Sequence, residues 1–252
     1  LAAVNNSDDF SILVNEEDHF RIQVIRPGLQ LMDVYKTADA VDSELNRFVP
    51  YAFSEDLGFL TACTSNLGTG LRVSVLLHLP VITMKNGVQE LIPEDRKNRI
   101  EIKGTIGKSS KTLGCLYQLS NRVSLGLSEV DIIESVDEVI GRILEKEDNR
   151  RDEYYAESRT ELEDIVWRSY GTLRYSRRIS YIEAMDHLSN VRLGIVLAII
   201  KNTDVKTVND IMVNIQWAHL QRHYALLFKS TGECDEYRAD YMRKLLQSFE
   251  VK

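Results

Sequence analysis

The change at Gly126 constrains this sequence more than any other feature. Ahead of it, short β-branched and alternating runs are punctuated by turn residues, and behind it the apolar residues recur at helical spacing. Phe10–Val14 and Arg21–Ile25 read as paired strands, with Asn15–His19 between them or at their ends, which puts Glu17 near a sheet edge. From Gln30 to Phe48 the set Leu31, Val34, Tyr35, Ala38, Val41, Leu45 and Phe48 marks an amphipathic helix that Pro50 closes. Phe59–Ala62, Leu71–Leu79, Arg99–Thr105 and Gly114–Leu119 read as further strands. Beyond Gly126, Ser128 with Asp131, Ser158 with Glu161 and Ser180 with Glu183 have the spacing of capping boxes, each ahead of an apolar stripe. The charged stretch Glu145–Asp152 reads equally as a boundary or as a charged helix turn.

Composition removes several function classes. A chain of 252 residues, 44% hydrophobic and 27% charged, buries a full core as one large domain or two small ones. Its net charge of −7 argues against nucleic-acid binding, because phosphate backbones are held mainly by cationic surface. Cys63, Cys115 and Cys234 are odd in number and unpaired in spacing, which points to a reducing cytosol and to no metal site. The longest apolar run, Leu193–Ile200, is far shorter than the ~20 residues that cross a bilayer, so it reads as a buried helix and no membrane partner is expected. The chain starts at Leu1 without a signal peptide, and a preceding segment is expected.

Two segments carry chemistry. Val14-Asn15-Glu16-Glu17-Asp18-His19-Phe20-Arg21 sets three carboxylates beside an arginine. Cys63-Thr64-Ser65-Asn66-Leu67-Gly68-Thr69-Gly70-Leu71-Arg72 combines a thiol, small hydroxyls, two glycines and another arginine. A transferring phosphoryl group spreads negative charge over its oxygens, so arginines must clamp it while a carboxylate orients a cationic acceptor and takes its proton. Gly107-Lys108-Ser109 is no P-loop, since the leading glycine of that pattern would fall at Ile102.

Both segments resemble the signature of the ATP:guanidino phosphotransferases, the family of creatine and arginine kinases. The resemblance implies that Glu17 aligns and deprotonates the guanidinium, that Arg21 and Arg72 hold nucleotide phosphates, and that Val73, Ser74, Val75 and Leu76 follow into the part of the site that meets the base. Leu76 stands where animal creatine kinases carry histidine, so adenine would meet apolar packing there. Cys63 takes the reactive-cysteine position, with Thr64 where creatine kinases have proline. Lys103-Gly104-Thr105-Ile106-Gly107-Lys108 completes the implied ATP-binding set. Lys103 replaces an arginine and loses its bidentate geometry. Lys108 replaces the glutamate of arginine-directed members, where a cation repels a guanidinium unless its stem points elsewhere.

The segment Ser120-Asn121-Arg122-Val123-Ser124-Leu125-Gly126 ends the animal enzymes shortly after, whereas this chain continues. Its extension, with Glu161-Leu162-Glu163-Asp164, Arg168-Ser169-Tyr170-Gly171 and Val191-Arg192-Leu193-Gly194-Ile195, is similar to the helical C-terminal domain of bacterial protein arginine kinases. The fold implied is α+β, an antiparallel-sheet catalytic domain over 1–150 followed by a helical regulatory or substrate-binding domain over 151–252. A phosphoarginine pocket is implied at Asp235 and Arg238, degenerate because Cys234 replaces its leading arginine. The resemblance further implies ATP carried with Mg2+, protein substrates with exposed arginine, an activator protein, a Clp-type protease partner in protein quality control, a homodimer and a cytoplasmic setting. The S-x-R-x-R segment that also binds phosphate in the family has no match here. As a fragment the chain belongs to an ATP-dependent protein arginine kinase, which is the expectation. As a whole protein it would be a catalytically weak or inactive module derived from one.

Overall fold

The computed structural model of the chain describes residues 2–4, 10–85, 87–88, 91–105 and 112–248. The chain divides into two compact units. One comprises Leu1–Leu76, Glu90–Ile102 and Gln118–Leu144, and the other Leu77–Gln89, Lys103–Tyr117 and Glu145–Lys252.

In the first unit, β1 (Ala2–Val4), β2 (Phe10–Val14) and β3 (Phe20–Val24) form an antiparallel sheet in that order. Phe10 pairs with Val24 and Val14 with Phe20, a register that leaves residues 15–19 as the connecting turn. The amphipathic stretch forms α1 (Leu31–Asn46), as its periodicity predicts, although none of its residues is fully buried. β4 (Phe53–Ser54) and β5 (Gly58–Phe59) make a two-residue ladder, with Phe59 edge-on to Phe53 and Tyr51. The strand expected over Phe59–Ala62 stops at Phe59. Just beyond it the Thr61 hydroxyl donates to the Cys63 carbonyl at 2.7 Å and a one-turn 3-10 helix follows at Thr64–Asn66, local bonds that compete with a ladder.

A second sheet has the order β6-β8-β7, with β6 at Ser74–His78, β7 at Ile100–Gly104 and β8 at Leu116–Asn121. The chain then enters α3 (Glu129–Glu157), a single helix of 29 residues. Its start is the capping box read from the sequence. The Asp131 N–H donates to the Ser128 hydroxyl at 3.2 Å, and the Asp131 carboxylate accepts from that hydroxyl at 2.6 Å and from the Ser128 N–H at 3.2 Å. Ile132, Val136, Ile140 and Ile143 form its buried stripe. The charged residues 145–152 are interior turns of this helix.

The second unit is mainly helical: α2 (Pro80–Met84), α4 (Arg159–Tyr175), α5 (Tyr181–Val196), α6 (Val205–Asn214), α7 (Trp217–Tyr224) and α8 (Thr231–Leu245). Leu173, Leu188, Val191, Val208 and Met242 lie in its main core. Ser180, Asp204 and Ser230 cap α5, α6 and α8 from extended backbone, each accepting an N–H three residues on. Ser158, expected to do the same for α4, makes no side-chain cap bond, because at ψ 45° it lacks the extended conformation its counterparts share. The helix expected over Leu193–Ile200 ends at Val196, with Ala198 at φ 55° terminating it. Glu147 is buried and accepts the N–H groups of Val81 and Ile82 at 2.9 Å each, satisfying the orphan donors of α2. Among the described residues no helix is long and apolar enough to cross a membrane.

Candidate active site

Glu17 lies in the turn between β2 and β3, exposed, and among the described residues nothing pairs with its carboxylate. The turn is shaped by its own polar groups. Asn15 sits at φ 53°, its N–H donates to the His19 carbonyl at 3.0 Å, and its side-chain oxygen lies 3.1 Å from His19 Nδ1. The neighbouring Asp18 is engaged on both oxygens. One of its oxygens accepts the Ala62 N–H at 2.6 Å and the other accepts the Asn66 side-chain N–H at 2.9 Å, so the turn bearing Glu17 is fastened to the loop bearing Cys63. Cys63 is half-buried, precedes the 3-10 turn, and holds its Sγ 3.0 Å from Ser65 Oγ. Arg21, on β3, is exposed and pairs with Glu16 at 3.3 Å.

Two glycines shape the second loop. Gly68 sits at φ +98° with its N–H donating to the Leu57 carbonyl at 2.9 Å and its carbonyl accepting from Phe59 at 2.8 Å. A Cβ there would lie 2.6 Å from both Leu125 Cα and the Ser124 carbonyl, so only glycine lets these backbones approach. The chain then runs into β6, where strand alternation sorts the residues by face. Arg72, Ser74 and Leu76 are exposed, whereas Val73 and Leu77 are buried and Val75 is half-buried. Asn121 fixes this strand. Its side-chain oxygen accepts the Val73 N–H at 2.8 Å and its amide donates to the Leu71 and Val123 carbonyls at 3.0 and 3.2 Å. Arg72 Nη2 donates to Glu101 at 2.8 Å and to the Ser120 hydroxyl at 3.1 Å.

Lys103 and Gly104 close β7, and Thr105 follows, its hydroxyl accepting the Leu113 N–H at 3.3 Å. Ile106, Gly107 and Lys108 lie outside the described residues. Asp235 and Arg238 stand together on α8 as an ion pair. They border a cavity of about 480 Å³ shared with Ser180, Tyr181, Gln216 and Trp217. Arg238 is 3% exposed, and its guanidinium is occupied by the Ile215 and Ile179 carbonyls at 2.9 and 3.1 Å, by Asp235, and by Cys234 Sγ at 3.2 Å.

Comparison with known proteins gives the family of the chain. Residues 2–150 match the family model of the ATP:guanido phosphotransferase C-terminal catalytic domain. The chain belongs to this family. Residues 159–252 match the protein-arginine kinase McsB C-terminal domain, which sets the branch. The protein-arginine kinase of Bacillus subtilis (strain 168) is 40% identical over 96% of this chain and 67% of its own length. That of Clostridium acetobutylicum is 39% identical over 97% of this chain and 72% of its own length. Among solved structures, the duplicated taurocyamine kinase from Schistosoma mansoni with bound transition-state-analogue components matches at TM-score 0.53 and 31% identity, covering 66% of this chain and 24% of that one. Lombricine kinase matches at TM-score 0.50 and 27% identity, over 57% of this chain and 40% of that one. The α+β class expected from the sequence is that of these guanidino kinases.

Within the family framework, the sequence alone does not reveal the polar ties. Asp18 and Asn121 stand inside the signature segments, yet nothing in those segments indicates what they hold. Glu101 carries no sequence signal beyond being a carboxylate in a strand. Its relation to Arg72 emerges only when β7 and the start of β6 are placed.

Proposed function

We propose that this chain is the arginine-phosphorylating part of an ATP-dependent protein arginine kinase, with 1–150 serving phosphotransfer and 151–252 regulation or substrate binding. The observation that carries the reading is the Asp18 tie, which fastens the turn bearing Glu17, a carboxylate without a partner among the described residues, to the loop of Cys63. In the reaction, a guanidinium nitrogen of a protein arginine attacks the γ-phosphorus of ATP. The N–P bond forms as the bond to the β,γ-bridging oxygen breaks, ADP departs, and Glu17 receives the proton that the guanidinium loses.

Arg21 and Arg72 serve as phosphate ligands in this reading, with Lys103 and the backbone of Gly104 and Thr105 completing the set together with Ile106, Gly107 and Lys108. The exposed face of β6 and of the residues leading into it suits a nucleotide: a guanidinium at Arg72, a hydroxyl at Ser74 and an apolar surface at Leu76, which is 59% exposed and offers adenine packing rather than hydrogen bonds. Mg2+ carried by the nucleotide would neutralise charge on the β- and γ-phosphates. Cys63, beside Ser65, borders the guanidinium and forms no covalent intermediate. Protein substrates with exposed arginine in the cytoplasm are the expected acceptors.

Phosphorus NMR of the chain incubated with Mg-ATP and an arginine-rich protein tests this, with an acid-labile P–N resonance on the protein as the expected result. Faster turnover of free arginine or creatine would overturn the assignment. Nucleotide binding without any phosphotransfer would mark a catalytically inactive module instead.

A further inference from the structure

Glu101 is the acceptor that fixes the direction of Arg72. Its carboxylate, on β7, takes the Arg72 Nη2 donor at 2.8 Å and the Ser120 hydroxyl at 3.3 Å, while that hydroxyl also receives Nη2 at 3.1 Å. Ser120, on β8, is 2% exposed, and the Glu101 side chain is 18% exposed. The three side chains make a row across the sheet order, from the residue leading into β6, through β8, to β7.

A guanidinium has five N–H donors in one plane. The two on Nη2 are engaged by Glu101 and Ser120. Among the described residues no bond from Nε or Nη1 accompanies them, and the Arg72 side chain is 54% exposed, so the opposite edge of the fork faces outward. An untethered arginine has rotamer entropy that a ligand must overcome when it immobilises the side chain. A chain held at Nη2 has lost much of that freedom before the ligand arrives. The half-buried carboxylate also makes this pair stronger than a solvent-exposed one.

We propose that Glu101, acting through Ser120 and directly, is a positioning residue that presents the free edge of the Arg72 fork to nucleotide phosphate. The proposal rests on the reading of Arg72 as a phosphate ligand. The opposite role, in which Glu101 holds Arg72 away from a polyanion, predicts the opposite sign.

The test is titration of ADP, followed by tryptophan fluorescence or calorimetry, into the wild-type chain and R72A, E101A, E101Q and the R72A/E101A pair, with KM for ATP and for protein substrate measured alongside. The expected results are at least fivefold weaker ADP binding in E101A and binding within twofold of wild type in E101Q, whose amide oxygen keeps the acceptor without the charge. E101A should also raise KM for ATP with KM for protein unchanged, and add no further loss on top of R72A, because both act through one contact. A merely structural defect would raise both KM values and would add to R72A. If E101A disrupts folding, S120A and E101Q carry the test: S120A should weaken ADP binding, and unchanged or tighter binding in S120A overturns the proposal, as it does in a folded E101A. Failure of wild type to bind ADP, or R72A binding as well as wild type, would instead remove the phosphate-ligand reading of Arg72.

Discussion

The Asp18 carboxylate accepts a hydrogen bond from the side-chain amide of Asn66 at 2.9 Å, across 48 positions of sequence. With the Ala62 N–H on its other oxygen, Asp18 has both oxygens committed to one loop, and among the described residues it is this neighbour, not a bond of its own side chain, that holds Glu17 in place. Charge-assisted bonds of this kind are stronger than neutral ones, and they converge on the place where misplacement costs most.

Asp18→Ala should therefore lower kcat by roughly tenfold to a hundredfold, the scale on which misplaced reacting groups act, with little change in ADP affinity. Asp18→Asn should fall between, since its oxygen can still take the Ala62 N–H while its amide opposes that of Asn66. Steady-state kinetics with ADP titration reads both. Unchanged turnover in Asp18→Ala would show that the tie does not place Glu17.

Glu17→Gln should lower turnover by about a hundredfold or more, in the range of general acid–base groups, while leaving nucleotide affinity near wild type. Arg72→Ala should weaken nucleotide binding as well as turnover. The pair separates proton transfer from phosphate binding, and near-normal activity in Glu17→Gln would remove that residue from the mechanism.

Much of this is legible in the sequence because it is local. The hairpin of β2 and β3, helix α1 and the caps at Ser128 and Ser180 follow from periodicity and from residues three apart. Glu17 stands out because its segment sets carboxylates beside an arginine, and Arg72 because its segment joins an arginine to a thiol and two glycines. What holds them is not legible. Asp18 to Asn66 and Asn121 to Val73 each bridge 48 positions, and Glu101 to Arg72 bridges 29, separations at which no period or spacing rule operates. The cap at Ser158 fails for a different reason: identity and spacing are right, but the backbone at that residue is not extended.

Glycine positions in the loop give a comparative prediction. Gly68 and Gly70 both sit at positive φ, where a side chain costs roughly 1–2 kcal/mol. Only Gly68 also has backbone within 2.6 Å of the point a methyl group would occupy, whereas at Gly70 the nearest atom is the Asn66 carbonyl at 3.8 Å. Gly68→Ala should accordingly lower the thermal midpoint more than Gly70→Ala does, and should weaken ADP binding with it. Equal midpoints in the two variants would contradict the close approach to Leu125.

His78 provides a pH prediction. It is half-buried on β6, its Nε2 lies 2.7 Å from the Ser189 hydroxyl, and desolvation, aided by the nearby Arg192 charge, pushes its pKa well below the ordinary 6.5. The unfolded chain then binds a proton that the folded chain refuses, in the window between the lowered value and 6.5. The stabilisation is complete above that window and is lost as pH falls through it, by up to about 1.4 kcal/mol per pH unit. His78→Gln should flatten this part of the slope. Urea midpoints at several pH values below 7, compared between wild type and variant, read the difference, and parallel slopes would mean that His78 is not the titrating group.

Arg238 is the residue whose surroundings most limit what the helical unit binds. It is almost wholly buried, and its donors already serve two backbone carbonyls, the Asp235 carboxylate and the Cys234 sulfur. A phosphate entering the adjoining cavity would have to break those bonds and leave their acceptors unsatisfied in the interior, at about 1–3 kcal/mol for each lost partner. Free phosphoarginine is thus expected to leave the thermal midpoint of the wild-type chain unchanged. Arg238→Ala should instead destabilise the fold by roughly 3 kcal/mol or more, as the loss of one member of a buried ion pair does, and Arg238→Lys should not restore it, because an ammonium cannot reach four acceptors arranged around a planar fork. Thermal and urea unfolding measure all three. A saturable rise in midpoint with phosphoarginine would show that Arg238 releases its carbonyls to the ligand, and would make the cavity a phosphate site despite Cys234.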